Sequence, residues 1–338
     1  MPESNCAGNL PAPTTVVSLC VSMSPQARAK RKIAALMEEV ENLKQEKAIK
    51  QRKTTYYVSQ GRALHRMVVL YCPLEDLVAE NDRRCEDSDG DHTIEQNRLQ
   101  HGYIELSKTL PWFHEKLASL DFEESEDMLK QLKRGADSAR GDDTGTLKEL
   151  VASWVNIECR PPSFLRADHK HHRGFVNDAC GKLLCPAEWC WEDPVVRAGI
   201  RDRTTAFIVS ENSWPMFMYE NYEAHAKNLE RGMRKVTPRA IAYAACQIQF
   251  ALSNITSWRT VDGDFNYQLF WNNIVDFFED PPGPAALARV NKLLKWWTRK
   301  VFGRNHGQDL TPDVILHMSV NSLASQRQQM EDAAFNSN

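Results

Sequence analysis

Apolar side chains recur at helical spacing over most of this chain. Residues 1–24, rich in Pro, Ser, Thr and Asn, read as a disordered tail. Ser24-Pro25 opens a helical stretch in which Ile33, Leu36, Val40 and Leu43 keep a/d spacing for two heptads, until Lys47 and Lys50 take the next two core positions. Two heptads suit either a short coiled coil or an amphipathic arm docked on the rest of the chain. Leu64, Met67, Val68 and Tyr71 continue a helical stripe that Pro73 interrupts, and residues 82–92 read as an acidic loop. Helical patterns follow over about 93–109, 111–120 and 124–134. The glycine- and aspartate-rich stretch 135–144 reads as a loop, and Thr146 with Glu149 as a capping box that starts the next helix.

Residues 159–191 carry few helix formers and predict an irregular connection. Asp193-Pro194, Thr237-Pro238 and Thr311-Pro312 each place a capping side chain before a proline at the first helical position, and so predict three helix starts. Thr204 to Val209 could form a short strand, with nothing obvious to pair with it. In 240–254, Ile241, Ala244, Ala245, Ile248 and Leu252 share one face while Tyr243 and Phe250 lie opposite, so both faces are expected to pack. Residues 265–278 are apolar all round, the pattern of a central buried helix. The aromatic run Trp214–Tyr222 is read as core. No βαβ alternation, phosphate loop or internal repeat occurs. The expected fold is all-α: an irregular multi-helix domain over about 91–306, with a basic helical arm and acidic loop over 25–90, and a C-terminal helix and tail over 307–338.

Composition changes this picture through charge. The 338 residues sum to a net charge of −3, which excludes a uniformly basic coat. Segment by segment the charge is unequal: residues 24–66 carry a net of +7, residues 67–100 a net of −6, and residues 286–306 six cations and no acid. Two readings follow. The charges are solvated helix faces, with the acidic loop covering the basic arm. Alternatively the basic helices contact nucleic acid or an acidic protein. On the second reading the candidate residues are Arg28, Lys30, Arg31 and Lys32 on the arm, and Lys292, Lys295, Arg299 and Lys300 with Trp296 among them on the later helix. Trp296 could stack on a base, or be a rim residue covered by lysine stems. The arm's Ile33, Leu36, Val40 and Leu43 are the candidate for self-association.

Three clusters could carry chemistry. Asp137, Asp142 and Asp143 could hold a divalent metal for a hydrolase or nuclease, or serve as helix caps and ion pairs. His169, His171, His172, Cys180, Cys185 and Cys190 have zinc-ligand chemistry, but gaps of seven, four and four residues do not fit the usual Cys-x2–4-Cys pairing. Cys185 beside one of these histidines is a candidate nucleophile. Nine cysteines, irregularly spread, do not form a disulfide framework. No cofactor motif is present, and a non-enzymatic role is expected. No secretory signal is expected, and no apolar stretch reaches the ~20 residues that span a bilayer. The expectation is a nuclear or cytoplasmic protein without a membrane partner, Arg28–Lys32 being a weak nuclear-import-like run.

Five segments are similar to a family of uncharacterised proteins of basidiomycete fungi. They are Gly135-Ala-Asp-Ser-Ala-Arg-Gly-Asp-Asp-Thr144, Arg173-Gly-Phe175 with Gly181-Lys-Leu-Leu-Cys-Pro-Ala187, Trp214–Tyr219, Val236–Tyr243 with Phe250–Ser253, and Trp296–Phe302. The resemblance spans about 95–303 and implies no activity. Of the three cysteines near the histidines only Cys185 belongs to the shared pattern, which argues against zinc. Segment 223–235 is shorter than the insertion usual in the family.

Overall fold

The computed structural model describes residues 25–86, 91–218 and 235–303. Helices dominate: α1 (Pro25–Gly61), α2 (Leu64–Met67), α3 (Leu74–Glu86), α4 (Ile94–Thr109), α5 (Phe113–Ser119), α6 (Phe122–Glu158), α7 (Asp178–Leu184), α8 (Pro194–Arg201), α9 (Pro238–Leu252), α10 (Tyr267–Glu279) and α11 (Pro284–Phe302). The chain is all-α, as its periodicity predicts. Among the described residues the regular strands are β1 (Val261–Asp262) and β2 (Phe265–Asn266), an antiparallel pair with Val261 opposite Asn266. They turn on Gly263, whose φ of +56° suits a residue without Cβ. The expected start at Thr311-Pro312, the tails 1–24 and 307–338, and residues 219–222 of the aromatic run lie outside the described residues.

The chain divides into two compact units, one ending at Thr55 and the other beginning at Tyr56. In the first, every residue of α1 from 28 to 52 is exposed. The second unit holds two large apolar clusters. One joins Tyr57, Leu64, Val68, Leu77, Leu106, Phe113, Met128 and Leu132. The other joins Val151, Val155, Leu183, Tyr243, Phe250, Phe270 and Ile274. Packing thus draws residues 56–86 into one body with the helices that follow.

Helix α6 serves both clusters. Met128, Leu129, Leu132 and Ala136 lie in the first, and Val151, Ala152 and Val155 in the second. Its 37 residues span roughly 55 Å at 1.5 Å each. It starts at Asp121, whose side chain accepts from the Glu124 N–H, with Glu123 and Glu124 at the positive end of the dipole. It then runs straight through the stretch read as a loop at 135–144. The supposed cap Thr146 instead donates back to the Asp142 carbonyl at 3.1 Å. Turn-forming residues lose here to tertiary contacts. A Cβ on Gly135 would stand 2.0 Å from the Val58 carbonyl oxygen, and one on Gly61 2.0 Å from that of Leu132. The end of α1 and the middle of α6 therefore meet backbone to backbone.

Helix α9 is the central one. Thr237 caps it by accepting from the Ala240 N–H, Pro238 stands in the first turn, and Ala242, Tyr243, Cys246 and Leu252 are fully buried. It packs on α10, α6 and α2. The expectation that α10 is buried all round is wrong: Leu269 is 42% and Phe277 48% exposed, because α10 presents one face to α9 and the other outward. The segment 204–209 makes no strand. Its Phe207 packs over Gly199, where a Cβ would clash at 2.2 Å, and against Trp189. The acidic loop begins later than predicted, since α3 runs to Glu86 with Arg83 and Arg84 both bonded to buried Glu80 at 2.7–2.9 Å. Asp193 caps α8 as predicted.

The glycine contacts give a stability test within one helix. Gly135→Ala should lower the thermal midpoint, because the overpacking cost of about 1–3 kcal/mol exceeds the helix-propensity gain of about 1 kcal/mol. Gly141 has nothing within 4 Å of its would-be Cβ, so Gly141→Ala should stabilise by up to about 1 kcal/mol. Thermal unfolding followed by circular dichroism at the helix band checks both. A rise in both variants would mean that the close crossing does not exist.

Candidate nucleic-acid interface

Helix α11 starts after Gly283, whose φ is +85°, with Pro284 in its first turn. Val290 is buried, and Leu294 and Phe302 pack against the larger cluster. Thr298 accepts from the Val236 N–H at 3.0 Å, which ties α11 to the entry of α9. The opposite face carries Lys292, Lys295, Arg299 and Lys300, all exposed. At 3.6 residues per turn these four and Trp296 share one side. Leu293, at the margin of the apolar side, is 36% exposed. Trp296 is half-buried, with the Lys300 Nζ 5.4 Å from its ring and the Trp297 ring edge-on at 5.1 Å. That is the environment of a rim residue, not of a bare stacking platform.

Arg28, Lys30, Arg31 and Lys32 lie on α1 in the first unit, exposed and with no acid between residues 25 and 37. On the same helix Ile33, Leu36, Val40 and Leu43 are 54%, 51%, 49% and 57% exposed. Each basic set is thus assembled by its own helix.

The aspartates of the 135–144 motif are drawn to separate partners. Asp143 is nearly buried and takes a two-bond fork from Arg66, at 2.7 Å from Nε and 2.5 Å from Nη2. The Tyr243 hydroxyl donates to the same carboxylate at 2.8 Å, and burial with this anion pushes its pKa up. Asp142 pairs with Arg62 at 2.8 Å at the surface. Asp137 receives Arg140 at 2.9 Å and faces His65 Nε2 at 3.3 Å. The other ring nitrogen of His65 lies 2.9 Å from the Val69 carbonyl. Both acceptors ask for a proton, while burial pushes the His65 pKa down. Thr144 donates to Gln247 on α9 at 2.9 Å. This is a set of ion pairs and interhelical ties. Among the described residues no three His, Cys, Asp or Glu side chains are gathered as metal ligands.

The His169–Cys190 region separates in the same way. His169, His171 and His172 are exposed, with His169 edge-on to His171 at 5.5 Å and stacked on His172 at 5.1 Å. Cys180 and Cys185 are buried elsewhere, and burial pushes each thiol up to about 11. A nucleophilic cysteine needs the opposite shift. Cys190 is exposed, near Glu192. The residues that matter here are Lys170 and Arg173. Lys170 donates to the Phe250 carbonyl at 2.5 Å and Arg173 to that of Ala251 at 2.5 Å. They satisfy the last-turn carbonyls of α9 and put cations at the negative end of its dipole. Burial, with Lys148 and Arg173 near, pushes Lys170 down to about 7.

Sequence reasoning singled out none of Arg66, Lys170, Arg173 or Arg239 for a role, and expected Tyr243 only to pack. Arg239 is buried in α9 and forks onto Glu279 of α10 at 2.8 and 2.9 Å. The available signal was the grouping of Asp143, Arg173, Arg239 and Tyr243 in the shared segments. The partners of Asp143 and Arg239 at Arg66 and the Val68 carbonyl fall outside those segments.

The model of a family of unknown function, DUF6698, matches residues 134–233 and 230–302 of the chain. No curated protein and no solved structure matches.

The two neighbouring aspartates should differ sharply. Asp143→Asn leaves the Arg66 cation buried without its counter-charge and should cost about 3–5 kcal/mol, whereas Asp142→Asn should change stability by less than about 1 kcal/mol. Urea unfolding of both variants is the measurement. Equal losses would show that Asp143 has no special hold on the fold.

Proposed function

This chain belongs to the DUF6698 family of unknown function, and since membership assigns it no activity, we propose that it is a non-enzymatic protein that binds nucleic acid. Two separate basic stretches carry it, one in each unit: the acid-free first turns of α1, with Arg28, Lys30, Arg31 and Lys32, and α11, with Lys292, Lys295, Arg299 and Lys300. The observation that carries this reading is the division of labour among the cations. Arg66, Arg173 and Arg239 lie buried inside the fold, while these eight are exposed on stretches, 25–37 of α1 and 284–302 of α11, whose own sequence holds no Asp or Glu. Exposed cations of this kind neutralise phosphates, and Trp296 adds apolar contact at the margin. On this reading the protein acts inside the cell, in the nucleus.

Anisotropy of a labelled duplex tests it. If four phosphates are neutralised, affinity should fall on the order of a hundredfold between about 50 and 200 mM salt. Lys292→Glu with Lys295→Glu, and separately Arg28→Glu with Lys30→Glu, should each weaken binding and flatten that slope. Absence of binding, or binding insensitive to salt, overturns the proposal. Polyglutamate competing as well as unlabelled duplex would replace nucleic acid by an acidic protein.

A second reading rests on the exposed seam of α1. Four large apolar side chains, each about half exposed, favour pairing with a second copy of the chain. Light scattering of the full chain should give a dimer, and Leu36→Lys with Leu43→Lys a monomer. A monomer at every concentration for both removes this reading.

A further inference from the structure

A cleft in the second unit, of about 280 Å³, shares no lining residue with α11. It opens between the α2–α3 connection, the middle of α6 and the segment that follows α9. Its floor is apolar: Leu64, Val69, Leu70 and Ala136 are buried. Its polar lining is His65, Lys133, Asp137, Arg140 and Arg259, with Trp258 as a wall.

The charges do not cancel. Asp137 is the carboxylate of this lining, and Arg140 occupies it at 2.9 Å while its guanidinium lies 5.6 Å from the Trp258 ring centroid. That pair is internally neutral. Lys133 and Arg259 are exposed at the rim, and neither is in an ion pair with a described carboxylate. The lining thus carries an excess of cations over an apolar floor, Arg259 also lying near the Asp262 carboxylate and Lys133 at the rim, and low-dielectric walls strengthen their field. Trp258 itself offers no free face. Tyr71 stacks on it at 6.3 Å, and Phe250 and Tyr267 pack at 5.1 and 5.7 Å.

We propose that this cleft binds a small organic anion whose phosphate or carboxylate head is held by Lys133 and Arg259 and whose short apolar body rests on Leu64, Val69 and Leu70. The volume equals that of roughly nine waters, which limits the ligand to a small molecule. The head must be an oxyanion, since the guanidinium of Arg259 and the ammonium of Lys133 are donors only. The body must be apolar, because a fully hydrated ion would leave the floor wet.

Calorimetric titration of the full chain with phenyl phosphate, inorganic phosphate and phenol separates the parts. Phenyl phosphate should bind saturably, and inorganic phosphate at least about tenfold more weakly. Phenol should show no saturable binding. Lys133→Glu and Arg259→Glu are surface changes that leave the packing intact, and each should weaken phenyl phosphate by about tenfold or more. Lys292→Glu, on α11, should leave it unchanged. Benzoate in place of phenyl phosphate distinguishes a carboxylate from a phosphate head. No saturable heat up to about 10 mM overturns the proposal, as does undiminished affinity in Arg259→Glu. Inorganic phosphate binding as tightly as phenyl phosphate overturns the role of the floor.

Discussion

The fold of the second unit depends on how one helix neutralises its own carboxylates. Helix α6 carries Asp137, Asp142 and Asp143, and a five-residue stretch of chain, 62–66, supplies Arg62, His65 and Arg66 to meet them. The innermost pair, Arg66 with Asp143, is nearly buried and is completed by the Tyr243 hydroxyl of α9. Burying two charges is costly unless geometry and additional hydrogen bonds compensate, so such a node tolerates few arrangements. Sliding α6 by one residue against α2 or α9 would strand a charge in an apolar surrounding. The node therefore sets a register that the neighbouring apolar contacts, being non-directional, leave loose.

The close crossing of α1 and α6 belongs to the same constraint. Gly61 and Gly135 let the two backbones touch, and this brings the end of α1 and the turn after it within reach of the aspartates. Glycine is a poor helix former, and three glycines with three aspartates make residues 135–145 the weakest helical stretch of α6. Packing of Met128, Leu129 and Leu132 on one side of that stretch and Leu147, Val151 and Val155 on the other carries the helix across it.

Cations divide into two populations with different physics. Arg66, Lys170, Arg173 and Arg239 are desolvated and committed to carboxylates or to last-turn carbonyls. They hold elements together and have little left for a partner. The cations of α1 and α11 and of the rim of the cleft are exposed to solvent. The segments that resemble the family hold members of both groups, Arg173 and Arg239 of the first and Arg299 and Lys300 of the second.

Local chemistry determined much of this protein. Period, proline placement and capping side chains located α4, α8 and α9 closely, because helix starts depend on neighbours within one turn. Apolar and basic faces of α11 were also legible, since 3.6 residues per turn sorts them without reference to the rest of the chain. Only the tertiary structure decided whether 135–144 turns or continues, as its glycines and aspartates favour a turn until Val58 and Arg66 arrive from some 75 residues away. It alone decided that α9, and not the more apolar α10, lies at the centre, because burial depends on what covers each face. It also assembled the cleft, whose lining comes from three distant stretches of chain and has no pattern along any one of them.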